Sequence, residues 1–340
     1  VMAVALMAAI MITVLSSCGQ ESGNNEGSSQ PGGSDPIIVR IGTTVTDRSN
    51  YGIGVLKLAE LINERTEGRY EIQHAGNSML GGERDMCEGV LAGTLQGVVS
   101  SSTVMANFVP MLNCLELPYL FDGYDQAYEI ISGEIGDELV KACDEAGYKC
   151  LGIWLSGDRN LYTSDTPINS VDDVAGLKIR VMENAMHQEL WRALGGDAVT
   201  MSWTDGYTSM QQNAIDGIEV PCNLATTQSV ADVATYFNET KHIMTLAPIC
   251  ISSDLWESMS EEDQKIWEEC AAEALAYQWK ELAAFDAECA EELVNDLGMT
   301  KCTPDLDPFK EKTAFLIEEA KSNSVYGELV TKIVEYKEGM

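Results

Sequence analysis

Three features of the 340-residue chain predict an α/β fold divided between two domains. Apolar, β-branched runs alternate with segments whose apolar residues recur at helical spacing, the pattern of a largely parallel sheet flanked by helices. Roughly three hundred residues follow a short apolar and polar N-terminus, enough for two substantial cores. The stretch 260–297 contains neither Pro nor Gly and is rich in Ala, Glu and Leu, long enough to run across both domains.

The elements follow in order. Ile37 to Gly42 (IIVRIG) is a run suited to a buried strand. Residues 51–65 carry helical spacing, with Gly68 as the stop. Tyr70 to His74 reads as a second strand, 82–92 as a helix and 95–100 as a third strand ending in serines. A helix over 123–147 leads to a strand at 149–155. Gly176 turns the chain into a strand at 178–182, followed by helices near 185–194 and 204–213. Strands at 215–220 and 240–251 bracket a helix through 225–237. Ser260 followed by Glu261, Glu262 and Asp263 supplies a cap and favourable charge for one long helix, or two in series.

The N-terminus carries an address. Residues 1–15 are almost unbroken apolar, short for a membrane span and right for a secretory signal. Leu15-Ser16-Ser17-Cys18 resembles the bacterial lipobox, whose cysteine receives the lipid. This makes 1–17 a signal peptide, Cys18 the lipid attachment and 18–36 a flexible tether of Gly, Ser, Asn, Gln and Pro. A permanent signal anchor or a buried helix are the competing readings of the apolar run.

Charge and motifs narrow the function. A net charge of −33 argues against nucleic acid or an anionic membrane surface as partner. Beyond Cys18 there are nine cysteines, an odd number, with no zinc-type C-x-x-C spacing; mostly free, buried thiols and no metal are expected. Gly81-Gly82 and Gly195-Gly196 fit neither a phosphate loop nor a dinucleotide fingerprint, and no G-x-S-x-G elbow occurs. The three histidines, His74, His187 and His242, lack metalloprotease spacing. Neither an enzyme nor a cofactor is indicated.

From about Ile38 onward the chain resembles the solute receptors of tripartite ATP-independent periplasmic (TRAP) transporters. The most specific segment is Gly176-Leu177-Lys178-Ile179-Arg180-Val181, similar to the family's G-[LM]-K-[IL]-R-V strand. The resemblance makes Arg180 the clamp for a ligand carboxylate, a role that suits a guanidinium fork. On pattern alone an arginine saturating a helix C-terminus or making a surface ion pair fits Arg180 equally well. Asn77 to Arg84 (NSMLGGER), Leu117 to Phe121 (LPYLF), Ser156-Gly157-Asp158-Arg159 and Gln211 to Glu219 (QQNAIDGIE) match in turn. They bring Arg159 as a second carboxylate contact and Glu83 as a ligand-binding residue.

Departures matter as well. Where the family has an asparagine after D-G-x-E, Val220 stands, and Asn223 is the nearest substitute. Trp203 occupies the position of an aromatic against the ligand, though ordinary core burial suits it equally. Ser100-Ser101-Ser102 replaces the charged pair of sialic-acid receptors, so Ser101 becomes a ligand hydroxyl contact, and Thr44 a polar lining residue.

The resemblance implies a two-lobed periplasmic-binding-protein-like clamp with crossing strands and a long lobe-spanning helix. Lobe I takes 37–156 plus about 246–285, and lobe II 157–245 plus about 286–340. The expected partners are a small carboxylate ligand, integral membrane permease subunits and, through the lipid anchor, the extracytoplasmic face of the membrane. A sugar acid such as a uronate is favoured over a C4-dicarboxylate or branched oxo acid. The alternatives are a binding lipoprotein of an ABC-type importer and, less favoured, a secreted enzyme acting on organic acids.

Overall fold

The computed structural model describes residues 35–339. The signal segment, the Cys18 attachment and nearly all of the tether lie outside the described residues.

Nine strands occur among the described residues. They are β1 (Ile37–Gly42), β2 (Tyr70–Ala75), β3 (Gly97–Val99), β4 (Tyr148–Thr163), β5 (Lys178–Val181), β6 (Asp197–Thr200), β7 (Gly217–Val220), β8 (Tyr236–Ser252) and β9 (Thr300–Cys302). They form one path, β2-β1-β3-β8-β4-β7-β5-β6, with β9 beside β8. Pairing is parallel in each outer group, β2-β1-β3 and β7-β5-β6. It turns antiparallel where β3 meets β8, β8 meets β4 and β4 meets β7. The two long central strands therefore belong to both halves; five of the eight pairings are parallel, as expected, β8–β9 among them, and the antiparallel ones all involve β4 or β8.

β4 and β8 do not pair evenly. Their register slips between Cys150 and Gly152, Leu155 and Gly157, and Arg159 and Leu161. Such bulges bend a strand and leave backbone groups needing other partners. Gln278 answers the second bulge: its amide accepts from Leu155 N (3.0 Å) and donates to Leu155 O (2.7 Å).

Gln278 sits mid-way along the 35-residue helix Glu261–Asn295, whose Ser260 side chain accepts from Asp263 N at 3.1 Å. It is one helix, not two. Trp267 and Ala274 pack into the core under β1 and β3. Trp279 and Leu282 enter the core beneath 86–155, and Cys289 and Leu293 the core under β7. A helix serving three cores in succession needs no single apolar stripe, which is why no clean heptad is visible. The helix Asn50–Arg65 lies against it and over β4, where Gly54 permits the close approach: a Cβ there would stand 2.6 Å from the buried Trp154 ring of that strand.

Two further expectations change. The segment 123–147 is two helices, Tyr124–Ile131 and Glu134–Glu145, parted at Gly133. The helix expected over 225–237 is only Cys222–Thr227, with a 3-10 turn at Val230–Asp232 before β8 begins at Tyr236. Phe237 stacks on Tyr162 (5.4 Å) and pairs with β4, so tertiary packing overrides the local helical pattern. β6, β9 and the helices Asp307–Lys321 and Gly327–Gly339 had no individual sequence assignment.

Candidate functional site

A cavity of about 340 Å³ lies between the two halves, at the ends of the short parallel strands. One wall carries Thr44, Glu83 and Ser101; the other carries Arg180, Trp203 and Val220; Ser156 and Arg159 of the crossing strand β4 form the floor. This is the crevice where α/β sheets place ligands, and its size falls in the range of small-molecule pockets.

Arg180 projects from β5 and is 3% exposed. Its Nε donates to Met201 O at 2.9 Å, its guanidinium stands 5.8 Å from the Trp203 ring, and it has no ion pair among the described residues. Burial pulls its pKa down to about 10, with Glu219 opposing that shift. A cation so desolvated is costly unless an anion joins it. Trp203 opens the helix Trp203–Gln211, capped by Ser202, whose hydroxyl accepts from Asp205 N at 3.2 Å.

Arg159 is held differently. Its Nε donates to the Glu219 carboxylate and its NH2 to the Glu219 carbonyl, while NH1 reaches Thr245 Oγ1 at 3.4 Å. Glu219 lies on β7, which pairs with β4 beside Arg159. His242 Nε2 (3.3 Å) and His187 Nδ1 (3.5 Å) approach the same carboxylate. Burial works against the ionised Glu219, yet Arg159 and the two imidazoles hold its pKa well below the usual carboxylate range. His187 also meets Glu116 (2.9 Å), a buried carboxylate that accepts from Ser102 (2.5 Å) and Thr103 (2.7 Å). A buried polar network thus underlies the cavity floor, in which His187 Nδ1 and Glu219 Oε1, 3.5 Å apart, are the atoms left without a hydrogen bond.

On the opposite wall Glu83 begins the helix Glu83–Leu91 and accepts from Ser101 Oγ (2.6 Å) and Ser101 N (3.3 Å). Burial raises its pKa, with Ser101 pulling the other way. Thr44 is half-buried just past β1.

Six of the seven sequence-designated binding positions meet at this cavity. Asn223 does not. Its Nδ2 donates to Asp286 Oδ1 (2.7 Å) and Ser156 O (2.9 Å), tying the helix Cys222–Thr227 to the long helix, while Val220 itself faces the cavity. The three-residue offset carries Asn223 round the helix start and behind the floor. Sequence reasoning missed Tyr51, whose hydroxyl reaches Ser156 Oγ at 3.4 Å, and Glu183. Tyr51 falls on the apolar stripe of its helix and reads as core.

Glu183 also joins the two walls. Arg84 Nε donates to it at 2.7 Å and Asn107 Nδ2 to its carbonyl at 2.8 Å; the neighbouring Asn184 donates to Thr103 O at 3.1 Å.

A sheet crossed by two shared strands, with a cavity of mixed polar and apolar lining between its halves and a buried arginine lacking an anion, defines a two-lobed solute-binding receptor. Residues 41–323 match the family model described as bacterial extracellular solute-binding protein, family 7. The chain belongs to that family, the TRAP solute receptors, and is a binding protein rather than an enzyme.

A solute-binding protein of Chromohalobacter salexigens is 30% identical over 282 residues, covering 82% of this chain and 80% of the relative. The 2,3-diketo-L-gulonate-binding periplasmic protein of Escherichia coli is 28% identical, covering 79% and 81%. Among solved structures, a TRAP periplasmic solute-binding protein of a Polaromonas species bound to D-erythronate superposes with a TM-score of 0.83 at 31% identity, covering 87% and 98%. One from Chromohalobacter salexigens with bound D-glucuronate gives 0.83 at 28%, covering 88% and 99%. No helix among the described residues is long and apolar enough to cross a membrane.

Proposed function

We propose that the chain captures a hydroxylated monocarboxylate, a sugar acid of the uronate or aldonate type, and delivers it to the permease subunits of a TRAP transporter. The observation that carries this reading is the buried Arg180 guanidinium, which has no anionic partner. A ligand carboxylate supplies the missing charge through a bidentate pair. Arg159, already committed to Glu219, offers its remaining N–H edge as a second donor.

The facing Glu83–Ser101 pair favours ligand hydroxyls and repels a second carboxylate, which argues against C4-dicarboxylates. The relatives that bind D-erythronate, D-glucuronate and 2,3-diketo-L-gulonate support the same cargo class. Trp203 gives the carbon skeleton an apolar face, and Thr44 a further hydroxyl contact.

In this reading residues 37–156 and about 246–285 form one lobe, and 157–245 with about 286–340 the other. They hinge at the bulges of β4 and β8 and close on the acid. Cys18 takes the lipid, and the tether holds the receptor at the extracytoplasmic membrane face.

Calorimetric titration with D-glucuronate, D-galacturonate, D-erythronate and succinate tests the proposal. At least one sugar acid should bind far more tightly than succinate, and Arg180→Ala should weaken it by at least about a hundredfold, the cost of losing a buried charge-assisted pair. Arg180→Lys should recover only part, because an ammonium lacks the fork. Equal binding by wild type and Arg180→Ala would remove the clamp.

A further inference from the structure

Away from the cavity, three cysteines from distant parts of the chain converge. Cys143 lies near the C-terminal end of the helix Glu134–Glu145, Cys150 near the start of β4, and Cys250 near the end of β8. Cys150 and Cys250 are direct cross-strand partners. All three are buried, and their Sγ atoms lie within 4.8 Å of one another. No other group of three or more potential metal-ligating side chains is found so close together among the described residues.

We propose that Cys143, Cys150 and Cys250 form a structural site for one divalent thiophilic cation of the zinc class. Three thiolates around such an ion at about 2.3 Å require sulfur separations of about 4 Å, so the trio is preorganised for it. The Gly152 carbonyl accepts from Cys150 Sγ at 3.5 Å, so an oxygen adjoins one of the three sulfurs. The first register slip of β4 falls between these two residues, bringing the carbonyl round to the sulfur side.

The setting favours a cation. The last carbonyls of the helix Glu134–Glu145 form the negative pole of its dipole beside Cys143. Binding releases the three thiol protons to solvent. A divalent ion then leaves a single net negative charge in the core, where a monovalent one would leave two. Cys150 is held in place from behind, its backbone N–H donating to Asp144 Oδ1 at 2.8 Å.

The consequence is mechanical. An ion here would staple a helix to both crossing strands at the end remote from the cavity, confining hinge motion to the later bulges.

The test is native mass spectrometry and metal analysis of the full chain, produced with zinc or with cadmium and dialysed against a weak chelator. One ion per chain is expected, and with cadmium a sulfur-to-metal charge-transfer band in the ultraviolet. Cys143→Ala and Cys250→Ala should each lose both signals, while Cys289→Ala, a buried thiol outside the trio, should keep them. Retained binding of a sugar acid would verify that the variants are folded. Wild-type chain that keeps no ion, or peptide mapping that finds a disulfide within the trio, overturns the site.

Discussion

Arg180 owes its position to a glycine. A Cβ at Gly206 would stand 2.8 Å from Arg180 Cγ, so Gly206→Ala must push the arginine stem aside. Acid binding should weaken by about tenfold or more, since a misplacement near 1 Å is costly at a positioned group. The melting temperature of the ligand-free protein should fall much less, because the displaced atoms belong to a side chain and not to the backbone. A drop in melting temperature with unchanged affinity would place Gly206 in packing alone.

Asp158, beside Arg159, supplies a pH test. Burial, with Asp286 adding to it, raises its pKa from 3.8 to about 7. The folded state therefore holds this proton more tightly than the unfolded chain. The stabilisation is complete below about pH 4 and is lost as pH rises towards 7. Asp158→Asn removes that loss: the variant should gain about 2 kcal/mol on wild type at pH 8 and almost nothing at pH 4. Denaturant melts at the two pH values measure the difference, and an equal gain at both would assign the effect to something other than titration.

At the scale of elements, the long helix repairs the sheet it crosses. Gln278 is fully buried and serves three backbone groups, Leu155 N, Leu155 O and, at 3.2 Å, Asn50 O. Gln278→Ala strands all three without water. It should cost about 3 kcal/mol in urea unfolding, from an unmet penalty of about 1–3 kcal/mol per buried group with partial relaxation. Loss under 1 kcal/mol would mean that water enters the bulge. The helix itself was legible from its composition and its Ser260 cap. Gln278 was not, because a glutamine among Ala and Glu reads as surface until the bulge opposite it is seen.

At the scale of the molecule, Arg84 and Glu183 tie the two walls of the cavity together. The Arg84 side chain is 42% exposed, so the pair is worth under about 1 kcal/mol. Arg84→Ala should accordingly speed ligand release by up to about fivefold and change association little. Stopped-flow fluorescence would follow both rates, with Trp203 as a natural reporter. A change confined to association would assign Arg84 to steering rather than to closure.

What the sequence determined by itself was local or motif-borne. The hydrophobic runs located most strands, Ser260 located the long helix, and GLKIRV singled out the strand whose arginine lacks an anion. Six cavity residues were legible through the resemblance to the TRAP solute receptors, carried by short segments that keep their side-chain direction relative to their own strand or helix start.

Only the tertiary structure decided the rest, since those facts depend on what meets across the fold. Asn223 turned to Asp286 because a partner 63 residues away lay behind it. Arg159 proved to be paired because β7 brings Glu219 beside β4. Cys143, Cys150 and Cys250 share no spacing that a sequence test recognises. Antiparallel pairing of two long strands is what brings residues 150 and 250 together. Periodicity reports which face of an element is buried; identifying the neighbour requires the register and bulges of the assembled sheet.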